Sequence, residues 1–117
     1  MVGKEAYRRA MRELQGLSVQ QGFRLLQVCS GDAPDFVRGA AGALGIPLIE
    51  LGPVMRAYCR ERGISGYSGS ELAVNKRDPH FSAIGHKLVG KTILERAAGM
   101  NLFSAEPLAK SRQIDRE

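Results

Sequence analysis

The chain has 117 residues, of which 44% are hydrophobic and 25% charged, and its formal net charge is +5. This length suffices for one soluble globular domain and excludes two. The basic residues are scattered among acidic ones and aromatic residues are few, which argues against a nucleic-acid-binding surface. The N-terminus lacks a signal-peptide pattern and no apolar run is long enough to span a bilayer. We therefore expect a cytoplasmic protein with neither nucleic acid nor membrane as a partner.

Helices and strands alternate in the first half of the chain. Apolar residues at helical spacing predict an amphipathic helix over residues 4–20. Residues 23–29 form a short apolar run bounded by turn signals, which is typical of a buried parallel strand, and residues 46–51 form a second. Between them, an apolar stripe predicts a helix over residues 36–44, for which Asp32 is a candidate cap.

The second half of the chain is predicted to be helical at both ends. Gly52-Pro53 begins a third helix. Residues 63–77 are rich in glycine and serine and predict a mobile surface loop. Residues 78–81 then predict a turn, after which Ser82 caps a last helix that ends at Gly99.

This order of elements predicts an α/β fold with a parallel sheet and right-handed crossovers. We expect a partial three-layer α/β/α arrangement of the flavodoxin-like kind, with a short parallel sheet over residues 1–99. Residues 100–117 form a C-terminal tail. Its apolar residues are candidates for docking on a surface: Leu102, Phe103, Leu108 and Ile114. Two strands leave open sheet edges, so we expect a homo-oligomer, or a missing N-terminal half of the domain, to complete the sheet.

Cys29 and Cys59 are the two cysteines of the chain. They lie 30 residues apart, without the Cys/His spacing of a zinc site, and are expected to be buried apolar groups. We therefore do not expect a zinc site.

Asp78 and His80 are the candidate catalytic residues. They lie two residues apart, immediately before the last predicted helix, with Pro79 restricting the backbone between them. A general base needs an imidazole with one nitrogen facing the reacting proton and the other held by an acceptor. The pattern therefore predicts His80 as a base oriented by Asp78. The alternative is a pair of polar residues on a surface loop.

The segment Asp78-Pro-His-Phe-Ser-Ala-Ile-Gly-His-Lys-Leu-Val-Gly-Lys-Thr-Ile93 resembles the last block of SGNH/GDSL hydrolases and their acyltransferase relatives. In that block an Asp and a His precede a helix, a small polar residue caps it, and a Gly-His pair follows. The resemblance spans residues 5–97 as an architecture. It implies four roles: His80 as the base, Asp78 as its orienting partner, Ser82 as the helix cap and His86 as a structural residue.

The sequence departs from this family pattern in two respects. One residue separates Asp78 from His80, where the family commonly has two. The Gly-Asp-Ser nucleophile motif and the Gly-x-Asn-Asp block, which donates to the oxyanion, do not occur in the sequence. Residues 30–32 read Ser-Gly-Asp, and residues 66–70 lack the final glycine and the preceding strand of a nucleophile elbow. Ser68 and Ser70 are therefore expected to be flexible loop residues.

The resemblance implies the C-terminal part of an SGNH-type ester hydrolase or O-acyltransferase. Such a chain carries the His/Asp half of a Ser-His-Asp triad, acts on an acyl ester when complete and is inactive alone. The resemblance implies neither a metal nor an organic cofactor. Its nucleophile would lie on a missing segment or on another chain. The alternative is a non-enzymatic module derived from that fold, which persists as an oligomeric or partner-binding protein.

Overall fold

The computed structural model describes residues 2–102, which form helices and two small sheets. In chain order the elements are α1 (Val2–Gln21), β1 (Gln27–Cys29), α2 (Asp35–Leu44), β2 (Leu48–Glu50), α3 (Leu51–Glu61), β3 (Ala73–Asn75), β4 (Asp78–Phe81) and α4 (Ala83–Gly99). Leu102 lines a pocket beside the end of α1, whereas the other apolar tail residues, Phe103, Leu108 and Ile114, lie outside the described part of the chain.

Strands β1 and β2 pair in parallel, with Val28 opposite Ile49, so the predicted α/β class with a short parallel sheet is confirmed. Both strands are shorter than their apolar runs. The first run begins at residue 23, but the amides of Gly22 and Phe23 donate to the Ser18 carbonyl and close α1, so β1 begins only at Gln27. At the second, Pro47 precedes the strand and its carbonyl accepts the Gln27 amide at 2.9 Å.

The main core lies between the parallel sheet, α3 and α4. Ile49, Leu51 and Leu72 are almost completely buried, and Met55 and Cys59 of α3 complete this cluster. Apolar residues of α4 pack against it as partly buried neighbours: Leu88, Val89 and Ile93. The burial of Cys59 agrees with its expected role as an apolar group, whereas Cys29 is half-buried, and both are free thiols.

Helices α1 and α2 pack against each other through an aromatic pair. The rings of Tyr7 and Phe36 meet edge to face with their centroids 5.4 Å apart. Val37, Ala40 and Ala41 form the buried stripe of α2, as its helical spacing predicts. None of the helices within residues 2–102 combines the length and apolarity that crossing a membrane requires.

The segment that precedes α4 differs from the prediction. The predicted loop over residues 63–77 contains β3, and the predicted turn over residues 78–81 is β4, which pairs with β3 as an antiparallel hairpin. The Asn75 side chain stabilises the connection, since it accepts the amides of Arg77 and Asp78 at 2.8 and 3.0 Å. Pro79, which reads as a turn residue, is tolerated because an edge strand does not need every amide for pairing.

Candidate functional site

Strand β4 carries both candidate catalytic residues and holds them in contact. Side chains two residues apart in a strand point to the same side, which brings Asp78 and His80 together across Pro79. The Nδ1 atom of His80 lies 2.5 Å from Oδ1 of Asp78, and the His80 amide donates to the same oxygen at 3.1 Å. The contact expected from the sequence is present, and the catalytic role of the pair stays a prediction.

The electrostatics of the pair keep Asp78 ionised. The hydrogen bond with the His80 ring, and secondly the one from the His80 amide, hold the pKa of Asp78 below its ordinary value. A carboxylate facing Nδ1 favours the tautomer in which Nδ1 carries the proton, so that Nε2 is the free base. The His80 side chain is 86% exposed, and its imidazole is therefore accessible to a reacting group.

Ser82 and Gly85 fix the position of β4 relative to α4. The Ser82 hydroxyl accepts the Gly85 amide at 3.1 Å and donates to the Glu71 carbonyl, so the predicted helix cap is confirmed. A Cβ atom on Gly85 would lie 2.3 Å from the Leu72 carbonyl oxygen. Helix α4 therefore approaches the hairpin more closely than a residue with a side chain would allow.

A pocket of about 460 Å³ lies beside this pair, at the carboxyl ends of the parallel strands. The loop after β1 contributes Ser30, Gly31 and Asp32 to the lining, and the first turns of α3, which follow β2, contribute Gly52, Met55 and Arg56. Tyr67, His86 and the β4 residues Pro79, His80 and Phe81 complete it. Ligand sites in open α/β sheets gather at this edge, where His80 was expected.

One wall of the pocket is a row of three rings. Phe81 meets Tyr67 edge to face at a centroid distance of 6.2 Å and meets His86 in the same way at 5.7 Å. The Tyr67 hydroxyl donates to the Pro79 carbonyl at 2.5 Å, and burial raises the pKa of this phenol. His86 therefore packs against a neighbouring ring, which is compatible with the structural role implied for it.

The part of the pocket lining that follows β1 and β2 carries an ion pair that the sequence did not predict. Two nitrogens of Arg56 donate to the two carboxylate oxygens of Asp32 at 2.8 and 2.9 Å, and this bond holds the pKa of Asp32 below its ordinary value. The expectation that Asp32 caps α2 is wrong, because the N-cap residue is Pro34 and no side chain caps this end. The available signal was that Asp32 and Arg56 each follow one of two strands that pair in parallel.

Glu50 at the end of β2 ties the loop after β1 into place. Its Oε1 atom accepts the Ala33 amide at 2.7 Å and Nη2 of Arg38 at 2.7 Å. The Arg38 bond, and secondly the Ala33 amide, hold the pKa of Glu50 below its ordinary value. The loop after β1, which lines the pocket, is therefore held by a charged network between β2 and α2.

Ser70 is a buried turn residue and does not belong to the site. Its hydroxyl donates to the Tyr67 carbonyl at 2.7 Å and accepts the Leu72 amide at 3.2 Å. The expectation of a flexible residue is wrong here, since these bonds close the turn that precedes β3. Ser68 likewise is not among the residues that line the pocket, whereas Ser30 is.

Comparisons with known proteins give no independent assignment of the site. The chain has no match among family models, curated proteins or solved structures. Within residues 2–102 no group of three or more His, Cys, Asp or Glu side chains is arranged to hold a metal ion. The site is therefore interpreted from its geometry and from the resemblance of residues 78–93.

Proposed function

We propose that this chain is the C-terminal part of an SGNH-type ester hydrolase or O-acyltransferase and supplies the His/Asp half of its triad. The observation that carries the proposal is the 2.5 Å contact between His80 and Asp78 beside a pocket at the carboxyl ends of β1 and β2. A histidine oriented by a carboxylate at this edge is the arrangement that a general base requires.

In the proposed reaction a serine hydroxyl attacks the carbonyl carbon of an acyl ester. Nε2 of His80 takes the hydroxyl proton, and Asp78 stabilises the imidazolium that forms. The proton then passes to the leaving alcohol, and water or an acceptor alcohol releases the acyl group by the reverse sequence of proton transfers. The serine and the oxyanion donors come from a polypeptide segment outside residues 1–117 or from another chain.

The first test is the isolated chain. It should hydrolyse p-nitrophenyl acetate only weakly and without a burst, and it should not be labelled by a fluorophosphonate, because it brings no activated serine. A stoichiometric burst that disappears in Ser30→Ala would instead identify Ser30, which lines the pocket, as a nucleophile of this chain. A burst lost in Ser68→Ala or Ser70→Ala would point to the segment before β3.

The second test restores the missing half. Residues 5–97 replace the corresponding C-terminal part of an SGNH hydrolase, and the chimera should regain labelling and ester hydrolysis. His80→Gln should abolish hydrolysis, and Asp78→Asn should lower it by about two or more orders of magnitude, because the amide favours the wrong tautomer. Lys87→Gln, an exposed change in α4, the helix that follows β4, is the matched control. A folded chimera whose activity survives His80→Gln would refute the proposal.

A non-enzymatic oligomeric module is the second candidate function. This alternative is supported by exposed apolar side chains in α1, in β1 and in the segment between them: Leu14, Leu17, Phe23 and Val28. Contiguous apolar surface and open sheet edges favour association with a second copy or with a partner. A folded chimera that cannot be labelled, together with a stable oligomer of the isolated chain, would favour this function.

A further inference from the structure

The surface that the pocket offers to a ligand is mostly carbon. Met55, which is 4% exposed, belongs to the lining, and Phe81 lies between the rings of Tyr67 and His86. Tyr67 presents its ring, since its hydroxyl already donates to the Pro79 carbonyl. Pockets of a few hundred Å³ with such walls bind apolar groups, and a few polar atoms fix their orientation.

The charged side chains of the pocket lining are satisfied by one another. The bidentate bond to Asp32 occupies two nitrogens of Arg56, so this cation is already neutralised before a ligand arrives. The carboxylate of Asp78 does not line the pocket but is bound to His80, which does. An anionic ligand would approach the carboxylates of Asp32 and Asp78 and compete with Asp32 for the guanidinium of Arg56, which is unfavourable. Arg38, whose charge also acts on Asp32, is already bound to Glu50.

We propose that this pocket binds a neutral apolar group, an aromatic ring or an alkyl chain of comparable size, and that the Asp32–Arg56 pair excludes ligands that carry a carboxylate. The assignment of this group as the acyl part of an ester substrate rests on the proposed function. The ligand class itself depends only on the pocket lining and its ion pair. Asp32 is thus a specificity-determining residue.

The test compares two ligands of nearly the same shape, 3-phenylpropanamide and 3-phenylpropanoate, titrated into the full chain at neutral pH. Binding is followed through the amide and histidine ring signals in NMR spectra. We expect the neutral amide to bind about fivefold or more tightly than the carboxylate, with shifts concentrated at Tyr67, His80 and His86. Asp32→Asn releases Arg56 and should raise the affinity for the carboxylate about three- to tenfold, with little change for the amide.

Asp35→Asn is the matched control, because it removes the same charge three residues away from Asp32 and outside this pocket. It should change neither affinity. Arg56→Gln provides a second variant in case Asp32→Asn does not fold. It removes the bidentate partner of Asp32 and should weaken carboxylate binding more than amide binding, so that the preference for the amide increases.

The proposal is overturned if the carboxylate binds the unmodified chain as tightly as the amide, if neither ligand binds, or if a folded Asp32→Asn leaves the preference unchanged. Failure of the proposed function looks different. The amide would then bind selectively in the pocket, while the folded chimera would show no hydrolysis that depends on His80.

Discussion

At His80 the hydrogen bond to Asp78 decides which ring nitrogen carries the proton. The bond joins Nδ1 to the carboxylate, so neutral His80 should be protonated at Nδ1 and free at Nε2. Long-range ¹H–¹⁵N spectra above the histidine titration range measure this directly, and His86 gives an internal reference. Asp78→Asn should shift His80 toward the other tautomer, because an amide can donate to Nδ1. An Nε2-protonated His80 in the unmodified chain would contradict the proposed base.

Gly85 is a residue whose missing side chain shapes the site. Gly85→Ala would put Cβ 2.3 Å from the Leu72 carbonyl oxygen and 3.1 Å from Cβ of Phe81, so α4 would have to move away from the hairpin. We expect a loss of about 1–3 kcal/mol in the free energy of unfolding, measured by urea denaturation.

Gly90→Ala is the control for this substitution. Gly90 lies inside the same helix and has nothing within 4 Å of the position of a new Cβ. Alanine should therefore stabilise the chain there by about 0.5–1 kcal/mol through its helix propensity. Equal effects at Gly85 and Gly90 would show that the close approach of α4 to the hairpin does not contribute to stability.

At the level of elements, the charged network that joins β2, α2 and the loop after β1 predicts a pH dependence. Arg38 and the Ala33 amide lower the pKa of Glu50 below its ordinary 4.5. A lowered pKa in the folded state stabilises the fold above the unfolded-state value, and this contribution is lost as the pH falls through the folded-state value. Unfolding free energies measured from pH 7 to pH 3 should therefore fall below about pH 4.5.

Glu50→Gln should flatten this acid limb and lower the stability at neutral pH toward its acid value. Glu95→Gln, on the exposed face of α4 with Lys91 at 4.0 Å, changes charge in the same way and should preserve the shape of the curve. If the acid limb of Glu50→Gln were unchanged, the network would not be what holds the loop at neutral pH.

The sequence predicts the helices well because their apolar stripes and end signals are local. It places β1 and β2 within apolar runs that are longer than the strands themselves. The ends of the strands were not predicted, because they depend on the hydrogen bonds that close α1 and on the position of Pro47. The hairpin of β3 and β4 was not predictable from periodicity. Its strands are short, Pro79 resembles a turn, and its pairing depends on the side chain of Asn75. Likewise, the bond between Asp32 and Arg56 exists only because their strands are neighbours.

At the scale of the whole molecule, we expect association in solution. The parallel sheet in the described residues has two strands, and apolar side chains of α1 such as Leu17 are nearly half exposed. A two-fold dimer is the usual way in which a small chain covers such surface. Light scattering at micromolar concentration should give twice the 12.7 kDa of one chain.

Leu17→Glu should shift the equilibrium between dimer and monomer toward the monomer. Val19→Glu, at an even more exposed position of α1, tests whether this loss of the dimer is confined to one face of the helix. A mass of 12.7 kDa with cooperative unfolding would show that one chain closes its own core.

The attachment of α4 to the hairpin has a consequence for the motions of the base. His80 and Asp78 lie on a strand whose continuation is the Ser82 cap, and the Leu72 carbonyl is in contact with the helix that this cap begins. Hydrogen exchange shows that proteins open locally in cooperative units. Because β4 and the first turn of α4 are held together by these contacts, we expect them to open as one such unit. The backbone of β4 can therefore leave its place only when the first turn of α4 opens as well, so the Ser82 amide, which donates to the Leu72 carbonyl at 2.9 Å, should exchange at the rate of the helix and not at that of a loop.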